Sequence, residues 1–122
     1  MKNNILIICH WGRNRSKYLA DYLKTKGYNT DYAGIGDQAD TKDRLTQEQI
    51  DWTDVIIVVQ DYLGEKLSSS YNIKNKKVIS LEVDDKTDDQ NKPQLDGKEW
   101  MEYQQKNVYS KLKKEIDKFL PF

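Results

Sequence analysis

One cysteine, one histidine and two prolines are all that this 122-residue chain holds of those three residue types. The single thiol, Cys9, excludes an internal disulfide and a zinc site built on several cysteines, and a reducing compartment keeps it available for chemistry. Net charge is missing as well. The 20 Lys and Arg residues balance 20 Asp and Glu, and no block of like charge is long enough to make a nucleic-acid arm. Any positive potential is therefore local. Long apolar runs are absent too: Ile5-Leu6-Ile7-Ile8 falls far short of the roughly 18 residues of a membrane span. The lone Lys2 before it makes a poor signal peptide. The protein is expected to be cytoplasmic, with neither membrane nor nucleic acid as partner, and residues 1–122 fit one domain around one core.

What is present alternates in period. Asn4 to Cys9 is an isoleucine-rich apolar segment, which reads as a strand buried on both faces, as in parallel sheets flanked by helices. After it, Leu19, Tyr22 and Leu23 recur at helical spacing, Ser16 can cap the start, and Gly27 stands where a helix would stop. Tyr28 to Ile35 fits a second strand. Thr46-x-x-Gln49 is a capping box opening a short helix through Trp52. Val55 to Val59 is another buried-type strand, followed by a helix over about Asp61–Leu67 and a strand over Val78–Val83. Residues 84–98 are polar and irregular, with Pro93 and Gly97, and read as a surface loop. Beyond them Val108, Leu112, Ile116 and Phe119, with Trp100 and Met101 a turn or two earlier, mark a long amphipathic helix. Trp52, Trp100 and the apolar stripe of that helix are the expected core aromatics and aliphatics. Alternating elements predict an α/β fold with a mainly parallel sheet, whose ligands collect beyond the carboxyl ends of the strands.

Cys9 and the residues near Asp84 lie at such ends. In Cys9-His10-Trp11-Gly12-Arg13-Asn14-Arg15-Ser16, five residues separate the thiol from an arginine, and the next residue opens a helix. A tight turn with inward backbone N–H groups makes an anion nest, and the following helix N-terminus adds donors and its positive dipole end. The same field stabilises a thiolate, so Cys9 is expected to be nucleophilic at neutral pH. The Arg15 guanidinium can grip two oxygens of a tetrahedral oxyanion in a fork, which lysine cannot do. Gly12 admits a positive φ and a close approach of the main chain to the ligand. His10 either tunes the thiol or faces solvent. Arg13 either adds potential at the rim or is simply solvated, and Trp11 is a recognition surface, a staple on the loop or core.

This loop resembles the Cys-x5-Arg-Ser signature of the low-molecular-weight protein tyrosine phosphatases. Tyr32-Ala33-Gly34 resembles the Ser-Ala-Gly stretch of that family's second strand, and Arg44-Leu45-Thr46 through Trp52-Thr53-Asp54-Val55-Ile56-Ile57-Val58 resembles its helix leading into the third strand. The resemblance implies a three-layer αβα sandwich on a four-stranded parallel sheet, hydrolysis through a cysteinyl-phosphate on Cys9 without metal or other cofactor, Arg15 as phosphate clamp and Ser16 supporting the thiolate. It implies as substrate a phosphorylated protein or small phosphomonoester, with phosphate or vanadate as inhibitors. The family carries asparagine where Gly12 stands and a second cysteine where Asn14 stands, so the usual loop brace and protective disulfide are missing here. The family's general acid is an aspartate followed by proline after the fourth strand. Here the stretch reads Glu82-Val83-Asp84-Asp85-Lys86-Thr87-Asp88-Asp89, in which Asp85 is the best positional match and Asp84 the next.

Three functions fit these residues. The first is a phosphomonoester hydrolase, a protein tyrosine phosphatase above all. The second is an arsenate reductase on the same scaffold, which with Cys9 alone needs an external thiol. The third is a phosphate-binding or interaction module that keeps the nest and has lost the acid.

Overall fold

The computed structural model describes residues 4–10, 15–36, 44–73, 76–83 and 97–121. Within these, β1 (Asn4–Cys9) leads to α1 (Arg15–Thr25), β2 (Asn29–Gly34), α2 (Gln47–Trp52), β3 (Val55–Val58), α3 (Asp61–Ser70) and β4 (Lys77–Ser80). A last helical stretch comprises α4 (Gly97–Tyr103), a wide π-helical segment (Gln104–Val108) and α5 (Tyr109–Asp117). The four strands form one parallel sheet in the order β2-β1-β3-β4.

That order follows from burial. Ile5, Leu6, Ile7 and Ile8 of β1 and Val55, Ile56, Ile57 and Val58 of β3 are each 0% exposed, so the two continuously apolar strands are central and the more polar β2 and β4 take the edges. Right-handed crossovers send α1 over one face as the chain steps from β1 to β2. They send α2 and α3 over the other as it returns past β1 to β3 and β4. Contacts agree. On the first face α5 meets α1, where Tyr18 and Tyr109 stack with ring centroids 4.3 Å apart and the Tyr22 hydroxyl donates to Asp117 at 2.6 Å. On the second, the Tyr71 hydroxyl after α3 donates to the Leu45 carbonyl ahead of α2.

Local signals explain the element ends. At the close of α1, Tyr28 N–H donates to the Leu23 carbonyl and Gly27 N–H to that of Lys24, a Schellman closure that requires the positive φ of 96° at Gly27. Both halves of the Thr46–Gln49 capping box are formed. The strand expected over Val78–Val83 is regular over Lys77–Ser80, and beyond it Glu82 turns out of extended backbone with φ 55°.

Several expectations about the core are corrected. Trp52 is 40% exposed: it ends a six-residue helix whose only buried residue is Ile50. Met101 is 42% exposed and Phe119 41%, the latter because α5 stops at Asp117. Val108, Leu112 and Ile116 do fill the core. Gly97, expected in the loop, starts α4; the rest of that loop, residues 84–96, lies outside the described residues, as does the side chain of Trp100.

Candidate active site

β1 pairs with β2 on one side and β3 on the other, and the connections leave in opposite directions, so its carboxyl end is the topological switch point of the sheet. Cys9 is the last residue of β1, paired with Gly34. The ladder runs on past the strand: Ile35 N–H donates to the Cys9 carbonyl at 3.1 Å and Gly36 N–H to that of His10 at 2.9 Å. Cys9 is thus held at a fixed height on the sheet edge, 1% exposed.

Seven residues on, the chain is in the first turn of α1. Ser16 was expected to cap this helix; instead α1 begins at Arg15 and Ser16 is its second residue. Its hydroxyl is thereby free of capping and lies 3.1 Å from the Cys9 sulfur, both residues buried. The N-terminal end of α1 therefore faces the thiol with a hydroxyl and with the positive end of the helix dipole.

Arg15 is 2% exposed, an unusual state for a guanidinium, and it meets two acceptors among the described residues. Its Nη1 donates to Gln60 Oε1 at 2.5 Å and to the Val83 carbonyl at 2.7 Å. Gln60 follows β3 and Val83 follows β4, so residues at the carboxyl ends of two further strands hold the arginine. Neither was foreseen from the sequence. The available signal was Gln60 itself, a polar residue closing the apolar run Val55–Val59 at the edge where ligands collect.

Gln60 stands at the N-cap position of α3, yet its side chain makes no cap bond. The Asp61 N–H is taken by Glu82 Oε1 at 3.1 Å. The Ser80 hydroxyl donates to the Asp61 carboxylate, and that bond, followed by one from Glu82, holds the Asp61 carboxyl below its ordinary range.

His10 is half-buried. Its ring packs on the α-carbon of Gly36, so closely that a Cβ there would come within 2.5 Å of Cε1 and Nε2, and it tilts toward Tyr62 with centroids 6.5 Å apart. Gly36 thus gives the imidazole its place. Trp11, Gly12, Arg13 and Asn14 of the loop, and both candidate acids Asp84 and Asp85, lie outside the described residues. Among the described residues no group of three or more His, Cys, Asp or Glu side chains is placed to hold a metal ion, and no helix is long and apolar enough to cross a membrane.

The four-stranded parallel sheet ordered 2-1-3-4, with its helices, gives this chain an α/β fold like that of solved low-molecular-weight tyrosine phosphatases. Among similar solved structures is Vibrio vulnificus Wzb in complex with benzylphosphonate, with TM-score 0.72 and 16% identity over 98% of this chain and 97% of that one. The tyrosine phosphatase Wzb from Escherichia coli K30, in complex with phosphate, gives 0.70 and 17% over 98% and 96%. The YwlE arginine phosphatase from Geobacillus stearothermophilus gives 0.58 and 18% over 96% and 92%. At these identities the likeness is one of fold. No family model matches the chain, and no curated protein matches its sequence.

Proposed function

We propose that this protein is a phosphomonoester hydrolase of the low-molecular-weight tyrosine phosphatase type, a single cytoplasmic domain over residues 1–122. The observation that carries the reading is the buried Cys9 sulfur 3.1 Å from the Ser16 hydroxyl, at the start of the helix whose first residue is the tethered Arg15. In the reaction, the Cys9 thiolate forms a bond to phosphorus as the bond to the leaving oxygen breaks, and a carboxylic acid, Asp85 or else Asp84, gives that oxygen a proton. Water then attacks the phosphocysteine, the sulfur–phosphorus bond breaks, and orthophosphate leaves. The loop Cys9–Ser16, including His10, Trp11, Gly12, Arg13 and Asn14, surrounds the phosphoryl group. Arg15 and the helix N-terminus stabilise the charge on its equatorial oxygens.

Similar folds carry both a tyrosine phosphatase and an arginine phosphatase, so the fold does not set the leaving group. Phosphotyrosine in a protein, or a small phosphomonoester, is the proposed substrate, with phosphate and vanadate as inhibitors. The test is turnover of p-nitrophenyl phosphate and of phosphotyrosine, phosphoserine and phosphoarginine peptides by the purified protein, with Cys9→Ser as control. Turnover abolished in Cys9→Ser, with inorganic phosphate still bound, supports the mechanism. Near-parent turnover in that variant refutes it. Phosphate binding without turnover in the parent selects the binding-module reading, which the missing Asp-Pro after β4 favours. Arsenate reduction dependent on an added thiol selects the arsenate-reductase reading.

A further inference from the structure

We propose that Glu82 is a positioning residue for the Arg15 clamp, an inference that rests on Arg15 being the oxyanion ligand of the proposed site. The starting point is a conflict at the head of α3. Gln60 occupies the N-cap position with extended backbone, φ −145° and ψ 151°. An uncapped helix start is destabilised, yet the Gln60 side chain is spent on Arg15.

Glu82 resolves the conflict from the neighbouring strand end. Its Oε1 accepts the Asp61 N–H at 3.1 Å, so α3 is capped in trans and Gln60 is released to hold the guanidinium. The Asp61 carboxyl sits in the same cluster, bonded to the Ser80 hydroxyl and to Glu82.

The backbone of Glu82 does a second thing. Its φ of 55° makes it the one non-glycine residue with positive φ among the described residues, a conformation that costs energy in a residue with a Cβ and persists only where the surroundings hold it. Leu81 N–H still bonds to the Val58 carbonyl at 3.0 Å and Val83 N–H to that of Val59 at 2.6 Å. With the ladder anchored on either side, the turn at Glu82 aims the Val83 carbonyl at Arg15 Nη1, 2.7 Å away. Leu81 and Val83 are buried while Glu82 is exposed, so the core sets its neighbours and does not account for the choice of residue at 82. The bonds from Arg15 to Gln60 and to Val83 thus both depend on one residue that does not touch it.

The experiment measures inorganic phosphate affinity by titration calorimetry, p-nitrophenyl phosphate turnover and thermal unfolding for the parent, Glu82→Ala, Glu82→Gln, Glu82→Gly, Arg15→Lys and the Glu82→Ala/Arg15→Lys pair. Loss of the cap draws Gln60 back to α3, so Glu82→Ala is expected to weaken phosphate affinity about tenfold. Glu82→Gln keeps an acceptor oxygen and restores most of it. In the Arg15→Lys background the Glu82→Ala change is expected to cost less than about twofold, since the group it positions is gone. Parent-like phosphate affinity in Glu82→Ala, or a full additional loss on top of Arg15→Lys, overturns the proposal. Should Glu82→Ala fail to fold, the remaining pair decides: Gln near the parent and Gly well below it supports the role, and equal affinities refute it. A parent that neither binds phosphate nor turns over the ester refutes the oxyanion site itself. A parent that binds phosphate beside an unresponsive Glu82 series refutes only the positioning.

Discussion

Removing the Ser16 hydroxyl isolates what the start of α1 contributes to the thiol. In Ser16→Ala the change is one oxygen, at a position 0% exposed, 3.1 Å from a sulfur whose residue is 1% exposed. With water so nearly excluded, no solvent molecule readily replaces the lost donor. A hydrogen bond to a charged partner contributes about 1.5–3 kcal/mol net, and about 1.4 kcal/mol is one decade, so a Cys9 that reacts as the nucleophile of the proposed site should be alkylated about ten- to hundredfold more slowly in the variant. The assay is the rate of iodoacetamide alkylation of Cys9, the only thiol in the chain, at about pH 6 in parent and variant. Thermal unfolding run in parallel should shift little, since the change leaves the packing of Leu19, Ala20 and Leu23 untouched. Equal alkylation rates at about pH 6 with an unchanged melting temperature would show that the hydroxyl and the sulfur are merely neighbours.

Arg15→Lys keeps the charge and loses the planar fork, and turnover should fall about 10²–10³-fold; equal kcat/KM in the two proteins removes the clamp assignment. Asp85→Asn should cost about 10²–10⁴-fold on phosphotyrosine and distinctly less on p-nitrophenyl phosphate, whose leaving group needs little protonation. The same comparison in Asp84→Asn decides between the two, and parent rates in both variants and in the double variant exclude them. Tyr22 should titrate at about 12, because its hydrogen bond to Asp117, then burial, raises it from 10.0. A raised phenol stabilises the fold fully below its unfolded value, and that contribution is lost as pH rises through about 12. Tyr18 and Tyr109 are raised as well, chiefly by burial, so the readout is the change on substitution: alkaline difference spectra should show a tyrosine titrating at about 12 that moves toward 10 in Asp117→Asn, and identical spectra in the two proteins refute the Tyr22–Asp117 bond.

The sheet was legible because its strands are extreme. Val55–Val58 and Asn4–Cys9 are too apolar to be edges, and the Thr46–Gln49 box and Gly27 carry their own hydrogen-bond logic in their side chains and φ. The approach of Cys9 and Ser16 was legible for a similar reason: a strand end and a helix start six residues apart leave little freedom. Gln60, Val83 and Glu82 were not, since their roles rest on contacts 45 and 68 residues distant from Arg15 and on one backbone torsion that no side-chain pattern announces. Trp52, Met101 and Phe119 failed as core for a related reason. Apolar character and helical spacing say which face a residue shares, but not whether a short helix or a helix end has anything to pack against.

The reach of the Arg15 hydrogen bonds also sets an order in time. β1, α1 and β2 lie within the first 34 residues and pair locally, whereas the guanidinium acquires its acceptors only after β3 has docked and the segment following β4 has closed over it. Long loops must be shut before such contacts give any return. A chain emerging during synthesis, or one caught with β4 undocked, would therefore have the cysteine and helix in place without these two acceptors for the arginine, so the clamp should be recovered on refolding only after β1, α1 and β2 have paired.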